Sequence, residues 1–203
     1  MFNGRKPLVK PVATLQCASM KLEQDRIVTE ALALMDQAGF DGFNMRALAA
    51  RLAVRASALY WHVGGRDELL SHMAGRFYRR AVNETPQQAD WRAWLIAFGR
   101  AFRRALMETR DSARLCAVAR PLAEDGGEPT ARLAAPLEAA GLSRRQALTY
   151  EASVISLTLG WTVYEQSDAL HDHLARIVGF EEGYATGLEA LVRGFAPPEE
   201  IAQ

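Results

Sequence analysis

The sequence predicts an all-α protein, with a small N-terminal head of short helices and a larger helical body. Three observations carry that expectation. Apolar residues recur every third or fourth position along nearly the whole chain, the period of a helix with one buried face. Glycine, proline and cap-forming residues interrupt this pattern at intervals of one helix length. Strand-like alternation bounded by turn residues is absent. With 203 residues, 49% of them apolar, the chain can bury one or two substantial cores.

The elements follow in order. Ile27, Ala31, Leu34, Met35 and Ala38 line one face of a first helix that Gly39 stops. Asn44 caps a second helix whose buried face is Met45, Leu48, Ala49 and Leu52. Ala53-Val54 makes a turn, and a third helix carries Leu59 inward. Gly64-Gly65 breaks the chain before a fourth helix with Asp67 and Glu68 in its first turn. Its apolar face is Leu69, Leu70, Met73 and Phe77, with Arg79 and Arg80 near the end where the helix dipole favours cations.

Thr85-Pro86 through Asp90 reads as the hinge between head and body, and Asp90 caps the next helix. Trp91, Trp94, Leu95, Phe98, Phe102 and Leu106 keep to one broad stripe along it. A short helix from Asp111 ends near Arg120-Pro121, and residues 123–129 form a loop. A helix from about Thr130 stops at Gly141, with Pro136 predicted to kink it. Ser143 opens a capping box with Gln146. The longest helix then runs to about Gln166, with Ala147, Tyr150, Glu151, Val154, Leu157, Thr158 and Trp161 along it. A segment near Leu170–Val178 and a helix from about Glu181 to Arg193 complete the order.

Composition narrows the function classes. The longest apolar runs fall well short of the roughly 18–20 residues a membrane span needs. Two cysteines, Cys17 and Cys116, cannot build a disulfide framework, so a reducing cytoplasm is the expected compartment. Residues 1–20 lack the apolar core of a secretory signal and read as a disordered arm, or as the product of a misassigned start with Met20 as the true one. Net charge is zero but unevenly spread. Residues 1–82 hold 12 Lys+Arg against 7 Asp+Glu, and residues 83–203 hold 12 against 17. A basic head (21–82) on an acidic body (83–203) suits a polyanion-binding module joined to something different.

The stretch Asn44–Leu70 makes that polyanion specific. Two short helices joined by a tight turn, backed by helices on either side, form the small core that lets one helix enter a DNA major groove about 12 Å wide. Arg46 is long enough to reach a guanine edge, while Tyr60 and His62 can donate to phosphates. Arg66 stands just before a helix start, where backbone N–H groups also favour an anion. Ala56 and Ala58 offer methyls, which suit thymine contacts. The competing structural reading makes Tyr60 and Trp61 core aromatics and Arg46 a solvated charge.

The same stretch resembles the N-terminal domain of the tetracycline-repressor family of bacterial transcription regulators. The marks are the Ile27–Ala38 helix ending in Gly39-Phe40, the run Gly42-Phe43-Asn44-Met45-Arg46-Ala47-Leu48-Ala49, and the string Leu59-Tyr60-Trp61-His62-Val63 followed by Leu69-Leu70. The resemblance implies a homodimer on a palindromic double-stranded DNA operator, released when a small molecule binds the body. It assigns base reading to Arg46 and the third-helix positions Arg55, Ala56, Ser57 and Ala58. It places Tyr60, Trp61, His62 and Arg66 at or near phosphates. Met45 takes a position where a hydroxyl residue commonly meets phosphate, and Ala56 replaces a polar reader, so the operator should differ from tetracycline operators.

Through the body the resemblance continues in Trp91, Phe102, Leu106, Arg110-Asp111, Ala113, Arg120-Pro121, Thr158-Leu159-Gly160 and Gln166. Here the departures carry the information. Cys116 stands where drug-binding relatives place a magnesium-ligating histidine, and Tyr164 where a glutamate approaches the metal's water shell. Val82 and Phe98 replace two polar drug contacts. A hard cation needs oxygen ligands, so the expected effector is an apolar or aromatic molecule rather than tetracycline–magnesium. Phe98, Phe102, Cys116, Leu122, Trp161 and Tyr164 are the expected lining, beside Val82, with Arg120, Glu165 and Gln166 as polar points.

Cys116 reads as a buried small hydrophobe, with a thiol sensor as the alternative. His171 and His173 face apart on a helix, so no metal site is expected there, and no cofactor motif occurs elsewhere. The 143–166 and 181–194 helices, through Val154, Leu157, Leu188, Leu191 and Val192, are the expected dimer surface. Four histidines beside no motif nucleophile give no catalytic constellation. An all-α carrier or enzyme without DNA activity is the competing function.

Overall fold

The computed structural model describes residues 12–88, 90–122 and 129–197. Among these residues there are ten helices and no strand. None is long and apolar enough to cross a membrane.

The head comprises α1 (Val12–Gly42), α2 (Met45–Arg51), α3 (Ala56–Val63) and the first half of α4 (Arg66–Glu84). α1 begins at Val12, within the stretch read from the sequence as an N-terminal arm, and residues 1–11 lie outside the described ones. No glycine or proline follows Pro11 until Gly39, which leaves nothing in the sequence to stop an early start. At Gly39 the backbone turns non-helical (φ 73°, ψ 170°), the expected stop, and a last short turn reaches Gly42.

Asn44 caps α2 by accepting the Ala47 N–H at 2.9 Å. Arg51 at the far end of α2 pairs with Glu30 at 2.6 Å and reaches Gln37 at 3.0 Å, fastening α2 to α1. The turn between α2 and α3 is a Schellman closure: Val54 N–H donates to the Ala49 carbonyl and Ala53 N–H to that of Ala50. Ala53 occupies the left-handed position at φ 55°, where a side chain is disfavoured.

α4 belongs to both parts. It packs against α1 and α3 on one side and against α5 (Trp91–Met107), α6 (Ser112–Val118) and α7 (Pro129–Ala139) on the other. One apolar core therefore runs from Ile27 to Val192, and the 85–90 link is a corner on it rather than a gap between separate bodies. Asp90 caps α5 through the Arg92 and Ala93 N–H groups.

α7 continues through Pro136 without a break. α7 ends in a second Schellman closure, with Gly141 at φ 94° in the left-handed position that Ala53 fills in the head. The Ser143–Gln146 capping box then starts α8 (Arg144–Glu165), followed by α9 (Asp168–Ala175) and α10 (Phe180–Arg193). The expected 123–129 loop lies outside the described residues, apart from its last residue, which begins α7.

Candidate nucleic-acid interface and effector core

The head closes its core with Leu48 and Ala49 from α2 and Leu59 and Val63 from α3, set on Ile27, Val28, Ala31 and Met35 of α1 and on Leu69, Leu70 and Met73 of α4. Ser57, Ala58, Tyr60 and Trp61 of α3 stand outside. Tyr60 is 49% exposed and Trp61 73%, which excludes their reading as core aromatics. Arg46, Arg55, Ser57, Ala58 and Arg66 are exposed as well, and His62 lies half-buried with its ring edge-on to Trp61 at 5.3 Å.

Two of the proposed contact residues do not reach this face. Met45 is only 6% exposed, because at the first position of α2 it shares the inward stripe with Leu48 and Ala49. Ala56 is half-buried and packs on the core.

A seam ties the end of α1 to the start of α6. The Phe40 N–H donates to Asp111 Oδ2 at 2.8 Å, and the Arg110 N–H donates to Asp36 Oδ1 at 2.8 Å. Arg114 clasps Asp41 with two contacts of 2.7 and 2.8 Å and holds its carboxyl below the usual range. Asp111 adopts the left-handed conformation (φ 57°) as it does so, which aspartate tolerates better than most residues. The Phe40 ring lies between two guanidinium groups, Arg114 at 4.9 Å and Arg66 at 5.7 Å from its centroid. Arg66 thus reaches the outer face of the head while touching the seam.

In the body, α5 carries a column of parallel rings. Trp94 stacks on Phe98 at 5.3 Å, Phe98 on Phe102 at 5.9 Å, and Tyr78 of α4 on Phe102 at 4.8 Å. Cys116 of α6 joins this group, its carbonyl 3.5 Å from the Tyr78 hydroxyl. Burial pushes both the Tyr78 phenol and the Cys116 thiol up, which favours the neutral thiol at Cys116. Val82 and Leu122 are half-buried at the margin. Leu122 is anchored to α4 through its N–H and the Ser71 carbonyl. Gly75 makes this possible, since a Cβ there would lie 2.4 Å from the Leu122 oxygen.

The remaining expected lining residues go elsewhere. Trp161 turns to α10, edge-on to Phe180 and Tyr184 at 6.3 Å each. Tyr164 is 46% exposed and Arg120 is exposed. Glu165 is held by Arg103 in two contacts of 2.9 Å. Gln166 donates to the Leu106 and Thr109 carbonyls, closing α8 onto the α5–α6 turn. Both polar groups are therefore spent on the fold itself. Val154, Leu188 and Val192 are also buried within the chain and unavailable to a partner, leaving Leu157 and Leu191 half-buried.

Two further residues of the body stand outside the expected lining. Tyr78 sits one position past Phe77, on the same helix but just off its apolar stripe. Glu151 is a carboxylic acid on the inward stripe of α8, only 2% exposed, with neither oxygen hydrogen-bonded. Its signal was visible in the sequence as a charge at an apolar period. His171 Nδ1 pairs with the Glu165 carbonyl at 2.9 Å, and no group of three metal-ligating side chains occurs among the described residues.

Comparison with known proteins matches both parts of this arrangement. Residues 27–73 fit the model of bacterial regulatory proteins of the tetR family, and residues 84–195 the tetracyclin repressor-like C-terminal domain. The tetracycline repressor protein class A from transposon 1721 of Escherichia coli is 35% identical over 149 residues, 72% of this chain and 68% of that protein. Among solved structures, a substituted TetR from Acinetobacter baumannii AYE in complex with minocycline is 30% identical, with a TM-score of 0.69 over 83% of this chain and 93% of that one. The TetR family protein ActR from Streptomyces coelicolor in complex with (S)-DNPA is 26% identical, with a TM-score of 0.69 over 85% and 96%.

Proposed function

Since the chain belongs to the tetracycline-repressor family of bacterial regulators, a family of ligand-responsive DNA-binding repressors and not of enzymes, we propose that it binds a palindromic operator as a homodimer and is released by an apolar or aromatic small molecule. The observation that carries the DNA half is the outward stand of Tyr60 and Trp61 beside Arg46 and Arg55, on a head whose core is already closed without them. Arg46 supplies a base contact worth about 1–3 kcal/mol of discrimination. Arg55, Ser57 and Ala58 face the groove, and Tyr60, Trp61, His62 and Arg66 serve the backbone.

The effector half rests on the stacked column Trp94, Phe98, Phe102 and Tyr78 with the neutral thiol of Cys116. Ring faces and a neutral thiol suit an aromatic body and are poor ligands for a hard magnesium ion, which argues against the tetracycline–magnesium pair. The homodimer reading draws on the outer face of α8, where Leu148, Ala152, Ser153 and Ser156 line a shallow open groove that allows a second helix to approach closely.

The test is an Arg46→Ala, Tyr60→Ala double variant. It should lose at least about a hundredfold in affinity for the DNA flanking its own gene, while its circular dichroism, dimer mass by light scattering and small-molecule binding stay unchanged. A double variant that kept full DNA affinity, or a wild type that was monomeric at micromolar concentration, would overturn the two-half-site reading.

A further inference from the structure

Glu151 sits where a carboxyl group is costly. It lies on the inward stripe of α8 with Ala147, Val154 and Thr158, all fully buried. One residue before it, Tyr150 stacks on Trp91 of α5 at 5.6 Å, and one turn beyond, Val154 borders Gly99 of α5. Glu151 thus lies along α8 between these two contacts, level with the span of α5 from Trp91 to Gly99.

Buried polar groups are almost always paired, and here both oxygens lack a partner among the described residues. The α5 cations turn elsewhere: Arg92 lies over Trp91 and donates to the Phe195 carbonyl, Arg100 pairs with Glu189, Arg103 pairs with Glu165 and Glu181, and Arg104 is exposed. On α7, the neighbouring charge is Glu138, which repels. Burial, with that repulsion, pushes the Glu151 carboxyl up to about 8, so at neutral pH it holds a proton and donates it to nothing. A fold gains nothing from such a group, whereas a binding site does.

Building on the apolar-effector reading above, we propose that Glu151 is the polar anchor of the effector site and that the effector is an organic cation, a protonated amine on an aromatic body. The ammonium group pairs with the two carboxylate oxygens, and the body lies against the α5 ring column, whose negative faces also favour a cation. When the ammonium enters, the Glu151 carboxyl gives up its proton to solvent and the pair forms as carboxylate and ammonium. No other bond changes.

The experiment titrates the full-length protein by calorimetry with a graded series of arylalkylamines, from benzylamine to naphthylmethylamine and larger, each beside its neutral alcohol. The amines should bind at least about tenfold tighter than the matched alcohols. Each amine should release about one proton at pH 7, read from the dependence of the heat on buffer ionisation. In Glu151→Gln both the preference and the proton release should vanish, while alcohol binding persists and the melting temperature shows the variant folded. Alcohols that bind as tightly as amines, or an amine preference that survives Glu151→Gln, overturn the role of Glu151 and leave the apolar effector standing. Failure of every amine and every alcohol to bind overturns the apolar effector itself.

Discussion

The head and the body use helices in opposite senses. In the head, the groups proposed for DNA are those the core excludes: Leu59 and Val63 hold α3 in place, and Tyr60 and Trp61 are left to the solvent side. In the body the groups proposed for the effector are those the core encloses: Phe98, Phe102 and Cys116 are buried, and so is the unpartnered Glu151 of α8. An outward site can be altered at little cost to folding. An inward site shares its atoms with the core, so selection on the ligand is also selection on stability.

Substitution separates the two senses. Phe102→Ala should cost about 3–5 kcal/mol in a denaturant melt, since it empties the middle of the ring column. A cost below about 1 kcal/mol would show that the body holds a preformed void there and would weaken the contrast.

Glu151→Gln gives the next effect, and it depends on pH. The native carboxyl is raised from 4.5 to about 8, so the folded state holds a proton that the unfolded state has lost between these values. That holding is fully present below pH 4.5, and wild-type stability from this group falls as pH rises through about 8. The glutamine variant carries no such slope, so its advantage over wild type should grow by a few kcal/mol from pH 5 to pH 8. A gap that stays constant in melts across this range would mean that the acid is ionised and partnered in the native state.

In the head the effects shrink. Ala53→Gly should stabilise by about 0.5–1 kcal/mol by relieving the left-handed position that Gly141 fills without strain in the body. A loss of stability would show that the Ala53 methyl packs against something that matters. Trp61→Ala should change stability by no more than about 0.5 kcal/mol yet weaken retention of DNA on a gel. A larger folding cost would place Trp61 in the core after all.

The same division decides what could be read from the sequence. Helical period, the Asn44 cap, the Ser143–Gln146 box and the glycine stops mark most helix ends, but not the start of α1, where no breaker stands between Pro11 and Gly39. The outward stand of Tyr60 and Trp61 followed because the period had already assigned Leu59 and Val63 inward. Met45 was missed because its place on the inward stripe was set aside in favour of the position it matched in the family. In the body, period says that a residue is buried but not against which of several neighbouring helices. Trp161 was expected against Phe98 and lies against α10 instead. Glu165 and Gln166 were free polar groups on paper, yet Arg103 and the α5–α6 turn take them up, and those partners lie about sixty residues away in the chain. Glu151 was visible as an anomaly, but only the closed core shows that nothing answers it.

The seam at Phe40 limits how the head can move. It is held to the body at two places, along the length of α4 and at the end of α1 through Asp36, Phe40 and Asp41. A rigid piece attached at one point can tumble in any direction, but one attached at two retains a single axis, like a door on its hinges. With α6 at one of those hinges, a displacement of α6 would have to reach α3 as a swing about that axis, largest at the edge farthest from it.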